Sequence, residues 1–507
     1  MPTSLQRVAT TVRPHLRWVF ASMVCVLVLG ACSGDSTGPG DAPNQSPTAS
    51  FTFTCTDLTC SFDGAASSDS DGTVASYAWT FGDGTSAAGA TATHAYAAAG
   101  SFDVVLTVTD NGGASGSTSR QVNPTAAAAG PLGSTILGEA VNDQFGRALA
   151  ISDDGTRIVA GAPTNSGNLN QSGHVRVFEW SGTSWDQLGA DFDGGSAGQL
   201  IGEENTIAIS GDGNRIAIGR HRANGNGGTV QVYEYVGSGW NQVGSTISGN
   251  TGRQLGYSVA LSTTGDRVAV GVPNAGTVGN AEGAVRVYAL SGGAWSQLGT
   301  DIMGEAPGDR SGVSVDLSGG GDRVAVGAQG NDGAGSGAGQ VRVHAWSGSA
   351  WVQVGQDMDG NGNGSNELFG MAVSISRDGT RVAGWGAQSG DYAKVFELVA
   401  GTWVQMGPDF SVPAAFNLHM PISLSADGSR IAIGRPFAGT NTNGTLTLYD
   451  WTGSAWIQAG MEIMGDQPTD NLGWAVALSA DGHTVATGLR GYPQGGLRGA
   501  VRVYTVP

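Results

Sequence analysis

Seven copies of one phrase run through the C-terminal three-quarters of this chain, and that repetition limits the fold more than any local motif does. A turn of form S-x-x-G leads two residues later into Arg and a β-branched residue. It starts at Ser152, Ser210, Ser262, Ser318, Ser376, Ser425 and, with Thr484 in place of Arg, at Ser479. A second phrase, V-R-V-aromatic and its variants, follows at 175–178, 230–233, 285–288, 341–344, 393–396, 446–449 and 501–504. A third, W-x-Q-x-G, starts at Trp185, Trp240, Trp295, Trp351, Trp403 and Trp456. Each copy alternates small and large residues at period two across tight Asp-Gly and Ser-Gly turns, so it reads as four short antiparallel strands. Four-stranded units repeating without helices predict a seven-bladed β-propeller over 131–507. The missing seventh outer strand has a substitute at the front, since 131–138 (PLGSTILG) aligns with 242–249 (QVGSTISG). That N-terminal strand is expected to complete the last blade.

Ahead of the repeats, residues 1–31 carry Arg7, Arg13 and Arg17, then an apolar run of 12 residues at 18–29. The run is short for a membrane span and suits an export signal. It ends in Leu29-Gly-Ala-Cys32, which resembles the lipobox of bacterial lipoproteins. The resemblance implies lipidation of Cys32, and Ser33 after it implies an outer-membrane destination. Residues 32–48 read as a flexible tether. The segment 49–123 resembles a polycystic kidney disease (PKD) domain through Ser68-Asp-Ser-Asp-Gly72, Tyr77-Ala-Trp-Thr-Phe-Gly-Asp-Gly84, His94-Ala-Tyr96 and the run 104–113. Its own alternating strands and turns predict a small β-sandwich anchored by Trp79. Such modules are spacers or polymer-contacting units. Residues 124–130 form a linker.

The propeller region resembles FG-GAP-type repeats, the family of the integrin α-subunit head, at Phe145-Gly146 and Gly161-Ala-Pro163, and in part at Phe369-Gly370 and Gly271-Val-Pro273. Those repeats often hold calcium in a D-x-D-x-D-G loop; here the turn is bare, so no cofactor is carried over and calcium lacks a complete motif. Asp69 and Asp71 are read as solvated turn acids, with calcium as the alternative.

The net charge is −18, or −21 once the three N-terminal arginines leave with the signal, which disfavours nucleic acid and anionic lipid as partners. With Cys25 in the signal and Cys32 lipidated, Cys55 and Cys60 are the remaining pair, expected as a disulfide in an oxidising compartment. Asp191, Asp301, Asp357, Asp409 and Glu462 recur two residues after the W-x-Q-x-G glycine and so read as scaffold. The histidines at 174, 221, 344, 419 and 483 share no metal-ligand spacing, and no catalytic constellation appears.

A specific site should lie where the repeat breaks. Trp385 replaces a glycine and Tyr392 follows it; Phe416 and His419 lie in an irregular segment; Phe437, Trp474 and Tyr492 occupy loop-face positions. Trp385, Tyr392, Phe437, Trp474 and Tyr492 are therefore the candidate binding aromatics, expected to be partly exposed. The reading is a monomeric, lipid-anchored cell-envelope protein that binds a polymer, glycan or protein, through the loop-rich propeller face. A polysaccharide-acting glycosidase or lyase at the channel mouth is the alternative, and a structural spacer is a third.

Overall fold

The structure, a computed structural model, describes residues 43–507 apart from 97–99, 126–128, 278–279, 363–365, 388–390, 412–419 and 493–495. The signal, Cys32, Phe416 and His419 lie outside the described residues. The described residues are all-β, with almost no helix. Two sheets form the N-terminal unit, one of three strands and one of four. Phe51, Phe62, Trp79, Phe81 and Leu106 fill the space between them, and the Trp79 indole N–H donates to the Gly89 carbonyl at 2.8 Å. Cys55 and Cys60 are cross-strand neighbours joined by a disulfide. Ordered contacts begin before residue 49: Asn44 donates to the Asp110 carboxylate and Thr48 bridges to Ser68.

Among the described residues seven further sheets of four or five strands follow, with a two-stranded ribbon, Gly276–Thr277 against Asn280–Ala281, in a loop of the third. Their first strands are Ala148–Ile151, Ile207–Ile209, Val259–Leu261, Ser314–Leu317, Ala372–Ile375, Ile422–Leu424 and Leu472–Leu478. In the first sheet Ala148–Ile151 pairs with Arg157–Ala162, which pairs with His174–Trp180. The fourth strand differs from the single run read from sequence. It comes as Trp185–Gln187 and Phe192–Asp193, interrupted at Gly189. Gly189 has φ 85° and lies so close to the Trp240 indole of the second sheet that a Cβ would be 2.7 Å from it. The W-x-Q-x-G glycine is thus a strand break that lets the next sheet's tryptophan approach. In the seventh sheet the outer strand comes from the front: Gly130–Pro131 pairs with Tyr504 and Thr505, and Ile136–Leu137 with Ala500 and Val501.

Four sets of contacts join successive sheets. Each tryptophan N–H donates across the seam to a carbonyl of the preceding sheet, from Trp185 to Leu132 (2.8 Å) through Trp240 to Leu188 (2.8 Å) to Trp456 to Met406 (2.7 Å). Each arginine of the S-x-x-G phrase reaches a turn carbonyl of the next sheet, as Arg267 does to Gly321 (3.0 Å) and Arg430 to Gly482 (2.9 Å). At six seams backbone meets backbone: a Cβ on Gly161, Gly219, Gly271, Gly327, Gly434 or Gly488 would fall 1.9–2.3 Å from a glycine carbonyl of the neighbouring sheet. Finally, seven amides donate in sequence, Asp153 to Gly211, Thr263, Gly319, Arg377, Ala426, Ala480 and back to Asp153, over 2.7–2.9 Å each. This cycle of hydrogen bonds returns to its start, and the first strands neighbour one another in the same order.

The S-x-D-G turns are held internally. The Ser152 hydroxyl donates to the Asp154 carboxylate (2.6 Å) and accepts from the Arg157 amide (2.9 Å), and Asp154 also accepts from the Thr156 amide. Burial would raise this aspartate, but these hydrogen bonds outweigh it and hold Asp154 below its ordinary value. Four of the recurring acids after W-x-Q-x-G pair with the repeat's own glutamine or arginine, as in Gln187 to Asp191 (2.7 Å) and Arg286 to Asp301 (2.9 Å), whereas Glu462 accepts from the Thr447 hydroxyl (3.1 Å).

The aromatic position of the second phrase has one exception, His344, which is buried. Burial and the neighbouring Arg342 push it down to about 4. Because the folded-state value lies below the ordinary 6.5, the unfolded chain holds the proton more tightly. Stability is then full above about pH 6.5 and falls as pH drops toward 4, by on the order of 2–3 kcal/mol at pH 4.5. Phe178 and Phe396 fill the matching positions. His344→Phe is therefore expected to fold and to flatten the fall in melting temperature between pH 7 and pH 4.5. Equal pH slopes for variant and wild type would contradict this assignment.

Candidate functional site

The first strands line a space with one end among the tight turns and the other among the long loops. At the turn end, Ile151, Ile209, Leu261, Leu317, Ile375, Leu424 and Leu478, one from each sheet, form an apolar tier around a cavity of about 170 Å³. Below that tier the Arg377 guanidinium of the fifth sheet pairs with the Asp153 carboxylate of the first and donates to the Thr263 hydroxyl at 2.8 Å. A cross-bracing ion pair thus sits at the narrow end. Asp316, Ser374 and Ser423 stand where the other sheets have alanine, and each accepts an amide from the next sheet: Ile375 (2.9 Å), Leu424 (3.1 Å) and Leu478 (3.1 Å). Burial pushes Asp316 up to about 6.

At the loop end lies a cavity of about 160 Å³. One residue from each sheet lines it: Arg147, Asn205, Tyr257, Val313, Met371, Met420 and Trp474. The column two positions further in is aliphatic, so the chemistry of the mouth resides in this variable outer column. Glu204 is fixed by the Arg147 guanidinium (3.1 Å) and by the Trp474 indole N–H (3.0 Å). Arg490 lies over the Trp474 ring at 4.3 Å and is bound to Gln144, which Arg147 also engages.

Of the aromatics singled out from sequence, Trp385 and Trp474 line this cavity, and Phe437 packs edge-on to Trp474 at 5.6 Å. Tyr392 and Tyr492 do not line it. The expected exposure needs correcting: Trp385 is 2 % exposed, Tyr392 4 % and Trp474 6 %, whereas Phe437 and Tyr492 are half-buried. Trp385 occupies the strand position that holds glycine at the other six seams, and it shares a core cluster with Met420 and Ile422 of the next sheet. The indole is packed in that cluster and also lines the cavity. Tyr392 is a strut between the fourth and fifth sheets, its hydroxyl donating to Glu367 (3.0 Å) and accepting from the Asn361 amide (3.2 Å). Tyr257, Met371 and Met420 were not foreseen; the signal for them was the variable column beside two aliphatic ones.

In the N-terminal unit both Asp69 carboxylate oxygens are shielded from solvent beside Asp71. Burial and the neighbouring Asp71 raise its pKa.

Residues 42–124 match the PKD domain family. Within the chain, 61 residues are 46 % identical to Collagenase ColA of Clostridium perfringens (strain 13 / Type A), covering 12 % of this chain and 6 % of that protein. The PKD1 domain of Vibrio anguillarum Epp is similar in structure at 38 % identity, covering 16 % of this chain and 95 % of that one, with a TM-score of 0.16. The PKD1 domain of the Vibrio cholerae metalloprotease PrtV is likewise 38 % identical, covering 16 % and 98 %, with a TM-score of 0.15. The N-terminal unit is a PKD domain. The chain spans only a small part of the collagenase it matches.

Proposed function

We propose that this chain is an extracytoplasmic binding protein. In this reading Cys32 carries the lipid anchor at the outer membrane, the PKD domain is the spacer, and the seven sheets are the blades of a propeller whose loop-rich face recognises a polymer, glycan or protein. The closed cycle of seven inter-sheet hydrogen bonds supports the propeller. The observation that carries the binding function is the cavity at the loop end, lined by Tyr257, Trp385, Met371, Met420 and Trp474 beside a fixed Arg147–Glu204 pair. Its size suits one sugar ring or one apolar side chain, with polar groups at the rim to orient it. Hydrolysis of a glycosidic bond ordinarily takes two carboxylates about 5–10 Å apart. Among the described lining residues Glu204 is the sole carboxylate, and it is tied to Arg147 and Trp474; this favours binding over catalysis.

An array of immobilised polysaccharides and envelope proteins, probed with the purified protein, tests this reading. Tyr257 and Met371 are half-buried at the mouth, so Tyr257→Ala and Met371→Ala should leave the melting temperature nearly unchanged. A lost ring contact should weaken capture by about fivefold. Capture that both variants leave intact would move the site elsewhere.

A further inference from the structure

Three side chains distant in sequence meet beside the segment that completes the seventh sheet. Glu139 follows its outer strand, His174 opens the third strand of the first sheet, and Asp191 lies in the break of that sheet's fourth strand. We propose that Glu139, His174 and Asp191 form a binding site for a borderline divalent metal ion of the zinc class.

His174 is 1 % exposed, and its Nδ1 faces both carboxylates at 3.6 Å, from Glu139 Oε2 and from Asp191 Oδ2. That separation exceeds a hydrogen bond. It is close to the spacing of about 3.3–3.4 Å between two ligand atoms of a tetrahedral ion with bonds of 2.0–2.1 Å. The other ring nitrogen, Nε2, is buried without a partner, so no hydrogen bond accounts for the ring's position. The facing oxygen of Asp191 is available because Gln187 holds the opposite one. Both carboxylates reach solvent, which gives the ion an entry path and leaves a fourth position to water.

The fourth sheet supplies an internal control. There Glu305 and Gln340 take the places of Glu139 and His174, and Arg342 lies beside Glu305 as Arg176 does beside Glu139. Gln340 is as buried as His174, but it donates hydrogen bonds, to Glu305 at 3.3 Å and to Asp359 at 3.5 Å. Where the fourth sheet has an amide N–H donating to Glu305 and to Asp359, the counterpart of Asp193, the first sheet has an imidazole nitrogen standing off from Glu139 and Asp191. A neutral imidazole nitrogen is the form in which histidine ligates a metal. Arg176, with Arg498 beside it, opposes a cation here, but the carboxylates of Glu139, Asp191 and Asp143 act against them and leave the cluster net negative. One imidazole with two carboxylates suits zinc better than calcium, which takes six to eight oxygens.

The test titrates the chelator-treated purified protein with zinc chloride, following heat of binding and melting temperature. Wild type should bind one equivalent, and its melting temperature should rise by about 3–6 °C at a hundredfold excess over Kd, with calcium chloride at the same concentration giving no such rise. His174→Gln, which installs the fourth sheet's own residue, should abolish both responses. Asp191→Asn, at a half-buried position, should weaken binding tenfold or more and serves if the first variant folds poorly. Absence of saturable zinc binding by wild type would overturn the proposal, and so would binding that both variants retain.

Discussion

Deleting residues 130–138 should lower the melting temperature by on the order of 10 °C or cause aggregation. The last strand would lose its pairing at Tyr504–Thr505 and Ala500–Val501, and its backbone bond from Leu132 to Val503 (2.8 Å). The first sheet would lose the carbonyl that its Trp185 indole binds. An unpaired edge would open at the one seam where Thr484 replaces the arginine that braces the others. Deleting 33–123 removes the tether and the PKD domain but none of these contacts, and should leave the melting of the seven sheets nearly unchanged. Calorimetry of both deletions separates the cases, and similar behaviour of the two would refute closure by the N-terminal strand.

Gly271→Ala should be among the most damaging single methyls in the repeats. Its Cβ would lie 2.0 Å from the Gly312 carbonyl oxygen and 2.2 Å from the Ser258 hydroxyl, and a backbone carbonyl held in a sheet cannot retreat as a flexible side chain can. A cost of about 2–4 kcal/mol is expected, spent on prising the third and fourth sheets apart. Gly239 is the control: a methyl added there would meet no atom within 4 Å, and its φ is ordinary, so Gly239→Ala should change stability by under about 0.5 kcal/mol. Denaturant melts of the pair measure the difference. Equal stability of the two variants would mean the glycine contacts do not set the spacing between sheets.

The strand content of the repeats was legible because a half-buried strand writes its burial directly into alternation. The pairing of 130–137 with the last strand could be read by aligning 131–138 with 242–249. The PKD domain was legible from its turns and Trp79, although its contacts reach back to Asn44. What sequence did not disclose depends on neighbours in space. Alternation says nothing of whether two sheets approach to glycine–glycine contact, so Trp385 was expected to be partly exposed when it is buried among the core residues of the fifth and sixth sheets. The residues of the cavity mouth form a column only once seven strands are side by side. Glu139, His174 and Asp191 share no recognisable spacing because the chain travels through most of a sheet between them.

The order of pairing in the closing strand also has a mechanical consequence. Gly130 lies opposite Thr505, beside the tight turn where the Val506 amide donates to His483, whereas Ile136 and Leu137 lie toward the long loops. The segment leading in from the PKD domain therefore arrives at the end of the sheet remote from the cavity mouth. If a ligand grips the mouth while the tether is pulled, tension runs along the closing strand, at right angles to its hydrogen bonds. Those bonds are then sheared together, and none can be peeled ahead of the rest. The strand that completes the seventh sheet is also the one through which a pull on the tether would reach the head.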